Sequence, residues 1–521
     1  MRLGIDFGTT RIVVAAVDRG NYPVIAFEDA EGASREWFPP LIASRGVERI
    51  YGWDAYAAQA DPSYTVVRSL KRTLEDAGPG TSVQMGEAAV SMHVLLDEMV
   101  AALRTALLER STLPAKPDEP LEIMLGVPAN ANSNQRFLTV EPFRRAGFRV
   151  LGLLNEPSAA SIEYGHRNRT AQRSERVLVY DLGGGTFDAS LVQIDDRTHS
   201  VIASEGVPYL GGDDFDVLLA DLALEAADIS NFELTQADVF RLHEEARARK
   251  EALHPNTRRI VVDLGAVREG WGEVTVSAAD FYDRCRPLVD QTIHASQALL
   301  AAHDSGERLE AVYVTGGGSE LPLVSRALKE IYGRKVRRSP HTRSATAIGL
   351  AIQADAQAGY VLRESFTRHF GVWREADAGR TMIFDPLFEK GTSLPGPGEP
   401  PLAIERSYYP VHNVGHFRYL ECSHLTPDGR PTGDIMLWDD IRFAFERGAR
   451  EADAVQHTRE APNQRIEERY ECDASGAVTV TIANLTADYA QRYRLGRWAQ
   501  PSAADSERIV PGRRRRAAAR R

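Results

Sequence analysis

An apolar strand that ends in an aspartate, turns through glycine and threonine and re-enters an apolar strand occurs twice in this chain. The first copy runs Leu3-Gly4-Ile5-Asp6-Phe7-Gly8-Thr9-Thr10 and continues as Ile12-Val13-Val14-Ala15-Ala16-Val17. The second runs Val177-Leu178-Val179-Tyr180-Asp181-Leu182-Gly183-Gly184-Gly185-Thr186-Phe187-Asp188 and continues as Ser190-Leu191-Val192-Gln193-Ile194. Two apolar runs joined by a small glycine turn read as a β-hairpin. The repeat predicts two related halves, one starting near residue 1 and the other near residue 175.

A third glycine segment differs. Ala311-Val312-Tyr313-Val314-Thr315-Gly316-Gly317-Gly318 leads into Leu323, Val324, Ala327, Leu328 and Ile331, a helical spacing. Asn155 to Tyr164 reads as a helix with Pro157 in its first turn, where proline is tolerated. Residues 234–254, rich in Glu, Ala, Arg and Lys, read as another. Mixed strands and helices to about residue 357 predict an α/β module. From about residue 369 the periods shorten to β-type runs at 381–384, 401–406, 435–438 and 477–482, separated by turns such as Asp428-Gly429 and Ser475-Gly476. This predicts a separate all-β domain over 369–500. Residues 358–368 are expected to link the two, 447–465 to form a polar loop, and 501–521 to be a disordered arginine-rich tail.

Composition narrows the class. At 521 residues the chain exceeds one core, since domains run to ~100–200 residues. Hydrophobic residues at 43 % and charged residues at 26 % exclude a disordered, collagen-like or membrane-bundle chain. No apolar run approaches the ~18–20 residues of a bilayer span. The strand pattern that begins at Met1 leaves no room for a signal peptide. Cys285, Cys422 and Cys472 are too few and too scattered for a disulfide framework or zinc site. A cytoplasmic protein is expected. The net charge of −11 argues against nucleic-acid binding by the body. The last nine residues nevertheless hold six arginines, Arg513 to Arg516, Arg520 and Arg521. Such a tail is ordinarily a solvated end, with contact to an anionic surface as the alternative.

Glycine and threonine turns let backbone N–H groups and a hydroxyl approach phosphate oxygens. Gly8-Thr9-Thr10 and Gly183-Gly184-Gly185-Thr186 both fit, each after a strand-terminal aspartate, Asp6 and Asp181. Two carboxylates on a shared cleft suit a hydrated Mg²⁺, which takes one or two carboxylates and keeps several waters. A single such turn is an ordinary hairpin feature; the pair points to a nucleotide.

In these motifs the chain resembles the 70-kDa heat-shock chaperone family (the DnaK type), within the actin and sugar-kinase superfamily of two-lobed ATPases. Gly4 to Thr10 is similar to the family's first phosphate loop, and Thr65-Val66-Val67-Arg68-Ser69-Leu70-Lys71-Arg72 to the segment carrying a catalytic lysine. Val127-Pro128-Ala129, Gln135-Arg136 and Leu154-Asn155-Glu156-Pro157-Ser158-Ala159-Ala160 resemble the stretch linking the lobes. Asp181 to Asp188 resembles the second phosphate loop, Leu210-Gly211-Gly212-Asp213-Asp214-Phe215-Asp216 the next signature, and Gly316-Gly317-Gly318-Ser319 through Pro322 the adenosine motif. The resemblance implies an α/β fold, a two-lobed actin-like (ribonuclease H-like) ATPase domain, followed by a small all-β sandwich domain.

It also implies roles. Asp6 and Asp181, with Glu156, would order a Mg²⁺ shell; Thr9 and Thr186 would bond the γ-phosphate or the attacking water. Lys71 would stabilise the transferring phosphoryl group and Asp188 would orient water. Gly8, Thr10, Gly183, Gly184, Gly185, Gly211, Gly212, Gly316, Gly317 and Gly318 would line ATP or ADP. Pro128 and Arg136 match an interlobe relay. The adenosine end departs from the pattern. Glu320 stands where the family has an arginine stacked on adenine, and a carboxylate supplies no cation–π face. Lys250 matches a ribose-contacting lysine, but Arg247 replaces a ribose-binding glutamate and His254 a serine.

In the second half, Leu387 to Pro395 and Cys472 to Val480 resemble β-sandwich segments of the family, implying an extended polypeptide held in an apolar cleft. Trp438, Met436, Phe443 and Phe445 fit that cleft or an ordinary core. The acidic, leucine-rich linker of the family is not found between 352 and 370, and no helical lid is expected after the β domain. The combined expectation is an ATP-dependent, lidless chaperone-like ATPase with slow turnover. A co-chaperone or nucleotide-exchange factor is implied by the resemblance. The alternative is a nucleotide-gated interaction module with little turnover; a small-molecule kinase of the same superfamily is disfavoured by the loops at Asp181 and Gly211.

Overall fold

The computed structural model describes residues 1–495 and 508–509, apart from 60, 62, 69, 75–76, 78–79, 117, 130, 169–173, 304–305, 307, 378–379, 396–398, 447–453 and 474–475. The arginine-rich tail and part of the expected loop at 447–465 lie outside the described residues. The chain divides into two compact units, the first comprising Met1–Ala131 and Gln135–Glu364, the second Asn132–Asn134 and the residues from Ser365 onward.

In the first unit both repeated segments are hairpins. Strand Arg2–Phe7 pairs antiparallel with Ile12–Ala16, and Ser174–Leu182 with Phe187–Asp195. The likeness extends further: each hairpin's first strand pairs in parallel with a later strand, Glu122–Val127 in one half and Leu309–Thr315 in the other. The first sheet is four-stranded, ordered Arg149–Asn155, Glu122–Val127, Arg2–Phe7, Ile12–Ala16. The second is six-stranded, ordered Val336–Arg338, Leu309–Thr315, Ser174–Leu182, Phe187–Asp195, Thr198–Val207, Val361–Arg363. Burial on both faces, in the edge strand Ile12–Ala16 as in the central strand Ser174–Leu182, explains the apolar runs at 12–16 and 177–180, where a half-exposed strand would alternate.

Helices Glu156–Arg167 and Ala345–Ala354 join the halves. Their Ala159, Ile162, Ala347, Leu350 and Ala351 share one core with Val13 and Ala15 of the first hairpin and Val177, Val179 and Val192 of the second. Small residues let these helices touch backbone to backbone. A Cβ on Gly349 would stand 1.8 Å from the Ala159 carbonyl oxygen, which no side-chain motion relieves. Gly349→Ala is therefore expected to destabilise the first unit by about 1–3 kcal/mol or more through overpacking, read as a lowered midpoint in urea unfolding; an unchanged midpoint would refute the contact.

The sequence-predicted helices at 155–164 and 234–254 are Glu156–Arg167, with proline in its first turn, and Gln236–Glu251, capped by Thr235. The helix after the third glycine turn is Pro322–Tyr332. Within residues 358–368, expected as a linker, Val361–Arg363 forms a strand that pairs in parallel with Thr198, His199 and Ser200 at the edge of the six-stranded sheet. Val361 and Arg363 are exposed and Leu362 is buried, so one apolar side chain in alternation suffices to seat an edge strand.

The second unit contains a four-stranded antiparallel sheet (Thr381–Phe388, His369–Ala376, Val414–Leu425, Pro431–Ala444) and a five-stranded one (Leu402–Tyr408, Ile466–Cys472, Val478–Asn484, Tyr489–Arg494, Arg508–Ile509). Alternation in Ile466–Cys472 and Val478–Asn484 sends Ile466, Tyr470, Val478, Val480 and Ile482 into a core with Phe370, Phe388, Phe417 and Tyr419. Trp438, Phe443 and Phe445 belong to that core, while Met436 is half-buried. Among the described residues from Ser365 onward there is no α-helix, and no described helix of the chain is long and apolar enough to cross a membrane.

Candidate nucleotide site

The two hairpin turns meet. A Cβ on Gly184 would stand 2.6 Å from the Thr10 side chain, and one on Gly185 2.6 Å from Thr9 Oγ1, so glycine at these positions leaves a cradle between the loops. Gly212 N donates to Gly183 O (3.0 Å) and Asp213 N to Gly184 O (2.8 Å), which seats the start of helix Gly212–Ala227 against the second turn. Gly316, at φ +82°, lies against the same turn from the other side; a Cβ there would fall 2.2 Å from Leu182 O. A cradle of backbone N–H groups beside a helix N-terminus is suited to an anion such as phosphate.

Behind the turns, charged groups converge. Lys71, in the short helical turn Leu70–Leu74, is buried, and its Nζ lies 2.5 Å from Glu156 Oε1 at the start of helix Glu156–Arg167. Asp181 stands directly across the second hairpin from Asp188, whose Oδ1 accepts from Ala129 N at 3.1 Å. Burial, then Glu156, pushes the Asp6 carboxyl up to about 7, with Lys71 pulling the other way. Burial and Glu156 likewise raise Asp188 to about 7 against the Ala129 N–H and Lys71. Asp181 is raised well above the carboxylate range by burial, Glu156, Asp6 and Asp188. Burial works against the Lys71 ammonium, yet Glu156, Asp6 and Asp188 hold it above the ordinary lysine value.

Asp6, Glu156, Asp181 and Asp188 thus face Lys71 as the shared counter-charge, a donor set that a further cation would complete. Among the described residues no group of three His, Cys, Asp or Glu side chains is spaced to ligate a metal directly. The set fits a cation held mainly through its waters, which is the habit of Mg²⁺.

Lys250 Nζ donates to Gly212 O (2.6 Å) and pairs with Asp216 (2.6 Å), whose carboxyl burial raises to about 7. Arg247 is taken up by Asp213 (3.0 Å), Glu244 (3.2 Å) and Asp216 (3.4 Å). Arg68 and Arg72, from the segment beside Lys71, reach Glu244 (2.6 Å) and Asp214 (2.9 Å), so ion pairs also tie the halves together. Glu320 pairs with Arg343 (2.6 Å). His254 opens a turn in which its backbone N donates to Thr257 Oγ1 at 3.0 Å.

The structure therefore brings Asp6, Lys71, Glu156, Asp181 and Asp188 together, and sets Thr9, Thr10, Gly183 to Gly185, Gly211, Gly212, Lys250 and Gly316 to Gly318 around the same turns. Two features escaped sequence reasoning. Arg343 carries no local signal. Asn155 was visible only as a member of a motif, yet its N and Nδ2 donate to Glu364 Oε1 (2.9 Å) and Oε2 (2.6 Å), and its Oδ1 accepts from Arg136 Nη2 (2.9 Å). Glu364, one residue past the strand Val361–Arg363, thereby holds the residue that precedes Glu156.

Comparison with known proteins finds relatives along the same stretch of chain. The family model described as "Hsp70 protein" matches residues 2–366. A chaperone protein HscA homolog from Methylibium petroleiphilum is 35% identical over 372 residues, covering 68% of this chain and 58% of the relative. The chaperone protein HscA of Serratia proteamaculans is 35% identical over 374 residues, with 68% and 58% covered, and a homolog from Burkholderia multivorans 32% identical over 378 residues, with 69% and 59% covered. The matches span under two thirds of these relatives' length. The expected two-lobed actin-like α/β fold with a β-rich C-terminal region agrees with them, and the chain belongs to the Hsp70 protein family.

Proposed function

We propose that this chain binds MgATP between its two hairpin turns, hydrolyses it slowly, and binds polypeptide through its β unit as an ATP-dependent chaperone. The observation that carries the reading is the convergence of Lys71 and four carboxylates behind a glycine cradle shaped for phosphate. Phosphoryl transfer to water needs positioning and charge neutralisation more than covalent chemistry.

Asp6 and Asp181 would hold Mg²⁺ through water, and the ion would neutralise charge on the phosphoryl oxygens when bound. The turn N–H groups at 8–10 and 184–186, with the Thr9 and Thr186 hydroxyls, hold the terminal phosphates, while Gly183 N closes the second turn on Thr186 O at 3.0 Å. Lys71, kept charged by Glu156, stands against developing negative charge on the transferring group. Asp188, oriented by the Ala129 N–H, accepts a hydrogen bond from the attacking water and is the group poised to take its proton. The Lys250 ammonium, beside Gly212, closes the ribose side.

The ion pairs that commit Arg247, Glu320 and Arg343 favour a second reading, a nucleotide-gated binder with little turnover. Phosphate release from MgATP by the purified chain, with and without an unfolded polypeptide, separates them. Turnover that rises with polypeptide is expected. ATP binding without measurable release would reject the ATPase and favour the gated binder.

A further inference from the structure

Two arginines flank Lys71, and both reach across to the half that starts near residue 175. Arg68 Nη1 donates to Glu244 Oε1 at 2.6 Å and its Nη2 to Asp213 Oδ1 at 3.4 Å. Arg72 Nη2 donates to both oxygens of Asp214, at 3.1 and 2.9 Å. Asp214 is the third residue of helix Gly212–Ala227, and its Oδ2 also accepts from Gly211 N at 2.7 Å. Gly212 N and Asp213 N lay the same helix start on Gly183 O and Gly184 O of the second hairpin turn. Arg72 thus connects the turn that carries Lys71 to the backbone that would cradle phosphate.

That connection matters because Lys71 sits in a helical turn of five residues, Leu70–Leu74, in which Leu70 and Leu74 are buried. So short a helical piece does not fix its own position. Glu156 holds the Lys71 ammonium at 2.5 Å, but Glu156 lies on another helix. The distance from Lys71 to the second hairpin turn therefore depends on how its own turn is tied to that half. The two arginines are not equivalent ties. Asp213 and Glu244 also pair with Arg247, at 3.0 and 3.2 Å, so loss of Arg68 leaves both carboxylates paired. Asp214 takes its positive charge from Arg72. The Arg72 Nε is buried with no hydrogen-bond partner among the described residues, which leaves Nη2 as the atom that holds Asp214. The guanidinium carbon lies 5.9 Å from the centre of the Tyr209 ring. Tyr209, two residues before Gly211, has φ +54°, a left-handed backbone that a bulky residue keeps only where its surroundings impose it.

We propose that Arg72 is a positioning residue for Lys71, holding the lysine's turn at a fixed distance from the second hairpin turn through Asp214. The inference rests on the ATPase reading above and adds to it a residue that acts through Lys71. A misplacement of about 1 Å costs a reaction that depends on alignment about 10²-fold.

Phosphate release and MgATP affinity of the full chain test it in Arg72→Met. Turnover is expected to fall about tenfold or more, with the MgATP dissociation constant within about threefold of wild type. In the Lys71→Met background the same change is expected to alter turnover by less than about twofold, because no lysine is left to position. An arginine with a merely structural role would cost the same factor in both backgrounds. Arg72→Lys keeps a cation on the stem and is expected to turn over about threefold or more faster than Arg72→Met. Asp214→Asn keeps an oxygen for Gly211 N and loses the charge. It is expected to show the same loss and the same dependence on Lys71, and it carries the test where Arg72→Met does not fold. Turnover of these variants within about threefold of wild type, or an equal loss in both backgrounds, overturns the inference and leaves the ATPase reading standing. No turnover by the wild type overturns both.

Discussion

MgATP turnover by Lys71→Met is expected to fall by about 10²–10³-fold, the usual cost of removing one preorganised charge aimed at a transition state. Methionine keeps most of the unbranched stem, so the loss is of charge and not of volume. The size of the effect follows from isolation: Lys71 is buried, 2.5 Å from Glu156, where its charge is weakly screened. The same change removes the partner of Glu156, whose neighbours Asp6 and Asp188 are already pushed up to about 7 by burial and by that carboxylate. Steady-state phosphate release checks the prediction, with MgATP affinity measured alongside. A variant within threefold of wild-type turnover would remove Lys71 from the chemistry. Lost turnover with binding retained places it in the transition state.

The second large effect belongs to the β unit. Glu468 is fully buried, and Arg374 donates to its two oxygens at 3.1 and 2.8 Å while also pairing with Asp385 at 2.6 Å. The Tyr470 hydroxyl donates to the same carboxylate. Arg374→Met leaves that charge buried without its partner, which costs about 3–5 kcal/mol. Urea unfolding followed by the fluorescence of Trp438, a core residue of this unit, reads the loss. Arg374→Met with Glu468→Gln is expected to recover much of it, since neither partner then carries an unpaired charge. A single variant within about 1 kcal/mol of wild type would mean that solvent reaches the pair.

Both predictions concern charges, and charges were unevenly legible. Asp6 and Asp181 were singled out because each ends an apolar strand before a glycine turn, and Lys71 and Glu156 because their segments resemble motifs of the family. Arg374 and Glu468 lie 94 positions apart on different strands, and nothing local tells a buried arginine from a solvated one. Val361–Arg363 was read as linker for a related reason. Three residues with a single buried leucine carry too little pattern to register as a strand, and the edge of the six-stranded sheet supplies the rest.

The sequence by itself determined the paired hairpins, the glycine turns, the helices near 155–164, 234–254 and 323–331 and the change to β structure from about residue 369. All of these follow from periodicity, turn chemistry and capping, which act over a few residues. Only the tertiary structure decided that the two turns interlock through Gly184 and Gly185 and that Arg374 is buried on Glu468. It alone shows Glu364 reaching Asn155 across 209 positions, and Arg11 reaching Glu251 across 240. An ion pair has no period and no preferred spacing along the chain. Its partner, and whether water screens it, are set by which surfaces the core brings together.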